Sequence, residues 1–182
     1  LTALSAVDVE FANLPTGEPI RSNITVVDPD GTTTKLNAPG TVFDAELCQK
    51  LDELVVERSK GADWVVLAGS LPPGLEPTYY SELVAALRAS GYEGKIAIDT
   101  SEAPLIATVA GEHKPTLIKP NSEELAQLTG SDNWEELEAS PELTARTAQK
   151  LLGDGIEYVL ATLGGGGAVL VTEQGIWHAV HE

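Results

Sequence analysis

Three short runs carry the residues whose types and spacing could do chemistry. They are Gly69-Ser70-Leu71-Pro72-Pro73-Gly74, Lys119-Pro120-Asn121-Ser122-Glu123-Glu124 and Thr162-Leu163-Gly164-Gly165-Gly166-Gly167. A serine hydroxyl, a lysine ammonium, an asparagine amide and a carboxylate are groups that hold phosphates, hydroxyl-rich ligands or the waters around Mg²⁺. Glycines placed after a strand let the backbone approach a phosphate or a flat base closely. Each run also has a plainer reading. Asn121 followed three residues later by Glu124 is a capping box, a sufficient reason for both. Four glycines can be no more than a flexible connection, and Ser70 can simply terminate its strand. Arg21 is either a lone surface cation or a planar bidentate donor for a phosphate. Asp99 ends another apolar run and suits a loop cap. His113, His178 and His181 have no metal-ligand spacing with a carboxylate or with Cys48, and no role is expected for them. There is no GxxxxGK[ST] and no GxGxxG opening a helix.

The elements that must position these residues follow from periodicity. Trp64 to Ala68 is apolar and β-branched, stops at Gly69-Ser70, and reads as a buried strand of a parallel sheet. A helix is expected from Pro77, with Tyr80, Leu83, Val84 and Leu87 at i, i+3, i+4 and i+7. Lys95 to Asp99 and Thr116 to Ile118 are short strands around a weakly helical Pro104 to Ala110. Asn121 opens a helix through Leu125 and Leu128, and Pro141 opens another. Trp134 to Glu138 reads as a solvated helix. Glu157 to Thr162, Ala168 to Val171 and Ile176 to Val180 are strands, the last two an antiparallel edge. Before all of these, Ile20 to Val27 and Thr32 to Leu36 flank Asp28-Pro29-Asp30-Gly31, a hairpin signal. Thr41 or Asp44 can cap a helix carrying Leu47, Leu51, Leu54 and Val55. Alternating strands and helices from 41 to 162 predict an α/β fold with a mostly parallel sheet, whose ligands sit at the carboxyl ends of the strands.

Composition narrows the classes. The 182 residues suffice for one domain with a core. Net charge is −17, from 11 basic and 28 acidic residues spread along the chain, so a broad basic face for nucleic acid or an anionic membrane is excluded. The single Cys48 fits a reducing compartment and a core position. No apolar run approaches the ~18 residues of a spanning helix, and a cytoplasmic location is the default expectation. With no Met at all and an opening that falls mid-pattern, the chain is read as part of a longer protein.

The order GSLPPG, AIDTS, IKPNSEEL and TLGGGGA resembles the ribokinase-like sugar kinases, the PfkB family. The segment IRSNITVVDPDGTTTKLNAPG is similar to the substrate-lid hairpin of its sugar-phosphate branch. The resemblance runs from about Ile20 to Val180. It implies a three-layer α/β/α fold with a small hairpin lid (20–37) and an α/β core (41–182), together a central part of one domain. It implies ATP-dependent phosphoryl transfer to a sugar phosphate, with fructose 1-phosphate giving fructose 1,6-bisphosphate as the first expectation. Tagatose 6-phosphate, fructose 6-phosphate or a nucleoside are alternative acceptors, and a non-catalytic sugar-phosphate or nucleotide sensor is the alternative of another class. By resemblance, Arg21, Asn23, Gly69 and Ser70 contact the sugar phosphate. Lys119, Asn121, Thr162, Gly164 and Gly167 face ATP, and Glu124 organises Mg²⁺. A homodimer through the lid is implied as well. The family's aspartate base lies in a GAGD segment that belongs after Glu182, so 1–182 is expected to fold without turning over by itself.

Overall fold

The computed structural model describes residues 6, 9–19 and 21–180. Two compact units are present: Leu1–Leu54 with Pro72–Gly74, and Val55–Leu71 with Leu75–Glu182.

In the first unit, β1 (Asn23–Val27) and β2 (Thr33–Asn37) pair antiparallel from Asn23↔Asn37 to Val27↔Thr33. The turn between them closes as its residues suggest. Asp28 N–H donates to the Thr32 carbonyl (2.8 Å), Gly31 N–H to the Asp28 carbonyl (2.9 Å) and Thr32 N–H to Asp30 Oδ1 (2.9 Å). The hairpin is thus shorter than the expected 20–37 span, and Ile20 lies outside the described residues. Helix α1 (Ala45–Ser59) starts at Asp44, whose Oδ1 accepts from Leu47 N–H at 2.8 Å, so the cap is Asp44 rather than Thr41. Cys48, expected in the core, is only half-buried.

The second unit holds a six-stranded sheet in the order β3 (Trp64–Ala68), β4 (Lys95–Asp99), β5 (Leu117–Ile118), β6 (Tyr158–Thr162), β7 (Ala168–Val171), β8 (Ile176–Ala179). The first four are parallel, and β7 and β8 are antiparallel additions. Five helices connect the parallel strands: α2 (Tyr79–Ala89), α3 (Glu102–Ala110), α4 (Ser122–Thr129), α5 (Trp134–Ala139) and α6 (Pro141–Ala148). Parallel pairs require such crossovers, and their strands become apolar because they are covered. Ile96 and Ile98 of β4, Ile118 of β5 and Val159 of β6 are at most 1% exposed. Leu83, Val84 and Leu87 of α2 are at most 3% exposed, as the i, i+3, i+4 pattern requires. Each such side chain contributes about 1.5–3 kcal/mol on burial.

Three expectations need correction. β3 takes its place in the parallel sheet but is not a buried strand: only Leu67 is buried, while Val66 is 64% and Trp64 41% exposed. The reason is position. β3 is the end strand and pairs only with β4 among the described residues. The segment Trp134 to Glu138 is helical but not wholly solvated, since Leu137 is 1% exposed and joins the core with Leu125, Val159 and Val169. The helix after β3 begins at Tyr79, two residues beyond Pro77, which lies in a preceding turn.

Candidate functional site

Because β3 to β6 run parallel, their carboxyl ends share one rim. Ala68 is level with Asp99, Ile98 with Ile118, and Ile118 with Val159, while Asn121 and Thr162 form a parallel bridge. Gly69-Ser70, Thr100-Ser101, Lys119 to Glu124 and Thr162 to Gly167 therefore leave the sheet side by side. This is the arrangement the three sequence runs required.

The first loop is held through one peptide. Gly69 has φ +110, a conformation that glycine adopts at little cost and L side chains rarely do. Its N–H donates to the Asp99 carbonyl (2.9 Å), and its own carbonyl accepts from the Tyr80 hydroxyl (2.8 Å) and from Thr100 Oγ1 (2.9 Å). Burial, with a smaller contribution from the Asp99 charge, pushes the Tyr80 hydroxyl above its ordinary pKa of 10.0, so it stays a donor. Next along the rim, Lys119 Nζ lies 3.0 Å from Asp99 Oδ1. Both side chains are about a third to a half exposed, 34% and 45%, so solvent screens the pair and leaves it weak.

Lys119 and Pro120 lead from β5 to Asn121, which caps α4. Its Oδ1 accepts from Glu124 N–H (2.8 Å), and Glu124 Oε2 accepts from Asn121 N–H (2.8 Å). The capping box is real. It does not exclude a second role, because one accepted bond uses only one of about four acceptor positions on a carboxylate. Ser122 Oγ donates to the Thr162 carbonyl (3.3 Å) and Thr162 N–H to the Pro120 carbonyl (3.0 Å), which ties the second loop to the third.

The glycine run is not slack. Gly164–Gly166 forms a 3₁₀ turn, closed by Leu163 N–H to the Gly167 carbonyl (2.8 Å). Gly167 has φ +89, and a Cβ there would lie 2.0 Å from the Ala179 carbonyl. His178, for which the sequence suggested nothing, holds this turn from β8: its Nε2 donates to the Gly166 carbonyl at 2.8 Å. No sequence spacing reports that contact, since the two residues meet through strand pairing. The Tyr80 and Thr100 bonds to Gly69 were missed for the same reason, as was the pairing of Asp99 with Lys119.

Arg21 and Asn23 lie in the first unit, where Arg21 Nε donates to Asn23 Oδ1 at 3.2 Å. Arg21, Ser22, Gly40, Thr41 and Lys50 help line an open cleft of about 770 Å³ within that unit. Among the described residues no three His, Cys, Asp or Glu side chains converge as a metal site. A divalent cation held by one carboxylate, waters and ligand phosphates fits that donor set, since Mg²⁺ rarely uses an all-protein cage. No described helix is long and apolar enough to cross a membrane.

A parallel sheet whose strand ends present small, hydroxyl, amide and ammonium groups on one rim defines a ligand-binding α/β protein of the open-sheet class. The model of the pfkB family carbohydrate kinases matches residues 2–181. The chain belongs to that family. It is 35% identical over 158 residues to a 1-phosphofructokinase of Rhodobacter capsulatus, which covers 83% of this chain and 46% of that protein. Phosphofructokinase-2 from Escherichia coli in complex with fructose-6-phosphate matches with a TM-score of 0.72 and 28% identity, over 88% of this chain and 50% of that one. Its tetrameric inhibited form matches with a TM-score of 0.80 and 27% identity, over 98% of this chain and 57% of that one. The chain thus spans about half the length of the relatives it matches.

Proposed function

We propose that the protein carrying this chain is an ATP-dependent sugar-phosphate kinase whose acceptor is fructose 1-phosphate, giving fructose 1,6-bisphosphate. The observation that carries the reading is the single rim on which Ser70, Lys119, Asn121, Glu124 and the Thr162–Gly167 turn meet. The choice of acceptor is supported by 35% identity to a 1-phosphofructokinase.

In this reading Lys119 leaves its weak pair with Asp99 and moves onto the nucleotide phosphates. Its charge then offsets what develops as the phosphoryl group transfers. The Asn121 amide side chain and the glycine turn position the same phosphates, the turn by letting backbone come close. Ser70 and Gly69 line the sugar. Glu124 would hold Mg²⁺ through its coordination waters, and the ion would supply charge neutralisation to the phosphates.

A coupled ADP-release assay on the full-length protein tests this. Sugar-dependent turnover with the highest kcat/KM on fructose 1-phosphate is expected, and no turnover with any sugar phosphate overturns it. Preference for fructose 6-phosphate would support the second reading, to which the E. coli phosphofructokinase-2 complex lends its likeness.

The hairpin supports a further reading, a homodimer through the lid. Ile24, Val26 and Leu36 fall on one face and are 56%, 46% and 56% exposed. Sedimentation of full-length Ile24→Lys is expected to give monomer where the wild type gives dimer, and a monomeric wild type refutes it.

A further inference from the structure

The Gly69–Ser70 peptide is held in a way its place at a strand end does not demand. An end-strand carbonyl at the rim of a sheet can be satisfied by water, yet this one accepts two side-chain hydroxyls. Tyr80 comes from the first turn of α2 and Thr100 from the end of β4, and they are 7% and 6% exposed. The N–H of the same glycine is bound to Asp99 as well. With both oxygen lone pairs engaged, the peptide plane has one orientation. No peptide bond among the described residues is cis, and in a trans peptide the carbonyl and the following N–H point in opposite directions. The Ser70 N–H therefore points away from the Tyr80 and Thr100 hydroxyls, and Ser70 itself is exposed.

We propose that Tyr80 and Thr100 are positioning residues for the sugar-phosphate acceptor, orienting the Ser70 amide through their shared bond to the Gly69 carbonyl. The inference rests on the kinase reading above and deepens it. Neither hydroxyl touches the ligand in this account. Preorganised donors lower the cost of ordering the site on binding, so the effect belongs to acceptor affinity and not to nucleotide affinity.

The test uses the full-length protein with Tyr80→Phe, Thr100→Val and the pair combined, each of which keeps side-chain volume. For the combined variant, KM for fructose 1-phosphate is expected to rise about tenfold while KM for ATP stays within about twofold. Amide hydrogen exchange at Gly69, whose N–H is bonded to the Asp99 carbonyl, should quicken in the same variant, and Thr100→Ser, which keeps the hydroxyl, should retain wild-type values. An unchanged acceptor KM in a folded double variant overturns the inference and leaves the kinase reading standing. So does a parallel rise of both KM values with a lowered Tm, which marks a structural role only. A wild-type protein that turns over no sugar phosphate overturns the kinase reading and this inference together.

Discussion

At the amino-terminal rim of the parallel strands, Lys95 lies over two aromatic rings, 5.5 Å from the centroid of Trp64 and 4.6 Å from that of Tyr158. Its Nζ donates to the Tyr158 hydroxyl at 2.6 Å, and that bond is the main reason its pKa is raised. At the carboxyl rim, Lys119 faces a half-exposed aspartate across 3.0 Å. The first lysine is a strut between β3, β4 and β6, seated on two aromatic rings. The second is surrounded by serine, asparagine and glycine turns and held by a pair that water weakens. One sheet thus uses the same residue type for cohesion at one end and keeps it available at the other.

The contrast breaks most visibly under substitution of the two lysines in the full-length protein. Lys119→Ala should lower kcat/KM for ATP by about 10²–10³-fold, the scale of losing one preorganised charge-stabilising donor, with Tm nearly unchanged. Lys95→Ala should lower Tm and leave kcat/KM within about twofold. Equal kinetic losses at the two rims would erase the distinction.

Within the carboxyl rim, Gly167→Ala is expected to cost at least about 3 kcal/mol in denaturant unfolding, because its Cβ meets the Ala179 carbonyl at 2.0 Å and its φ is +89. Gly165→Ala, with nothing within 4 Å and no positive φ, should stay within about 0.5 kcal/mol. If both are tolerated, the turn is as slack as a bare linker.

Glu124 divides cap from cation. Glu124→Ala should lose about 1 kcal/mol of stability with the cap. Glu124→Gln retains a side-chain acceptor for the Asn121 N–H and should keep that stability, yet raise the Mg²⁺ concentration for half-maximal activity about tenfold. An unchanged Mg²⁺ dependence in Glu124→Gln would leave the cap as its whole role.

The smallest effect is on alkaline unfolding. Tyr80 has a folded-state pKa raised above 10.0, so the neutral phenol is favoured by folding. Its contribution is fully present below the unfolded value and is lost as pH rises through the folded one. Wild-type Tm should therefore fall more steeply above pH 10 than that of Tyr80→Phe. Matching slopes would show that the hydroxyl titrates as in the unfolded chain.

Periodicity and turn chemistry made most of the fold legible. β-branched runs stopped by Gly or Pro, separated by helical patterns, specify βαβ units, and parallel strands send every following loop to one rim. That is why Ser70, Asn121 and Thr162 could be grouped from letters alone, and why the Asn121–Glu124 capping box was readable: its partners are three residues apart. Burial of β3 was misread because an end strand and a central strand can share one apolar pattern, and only the pairing order separates them.

What the tertiary structure alone decided are the contacts between residues 11 to 31 positions apart, where no local spacing carries a signal. Tyr80 and Thr100 meet the Gly69 carbonyl, Lys119 meets Asp99, and His178 meets Gly166. Each depends on which strands lie side by side and at what register, a property of the assembled sheet and not of any one stretch of chain.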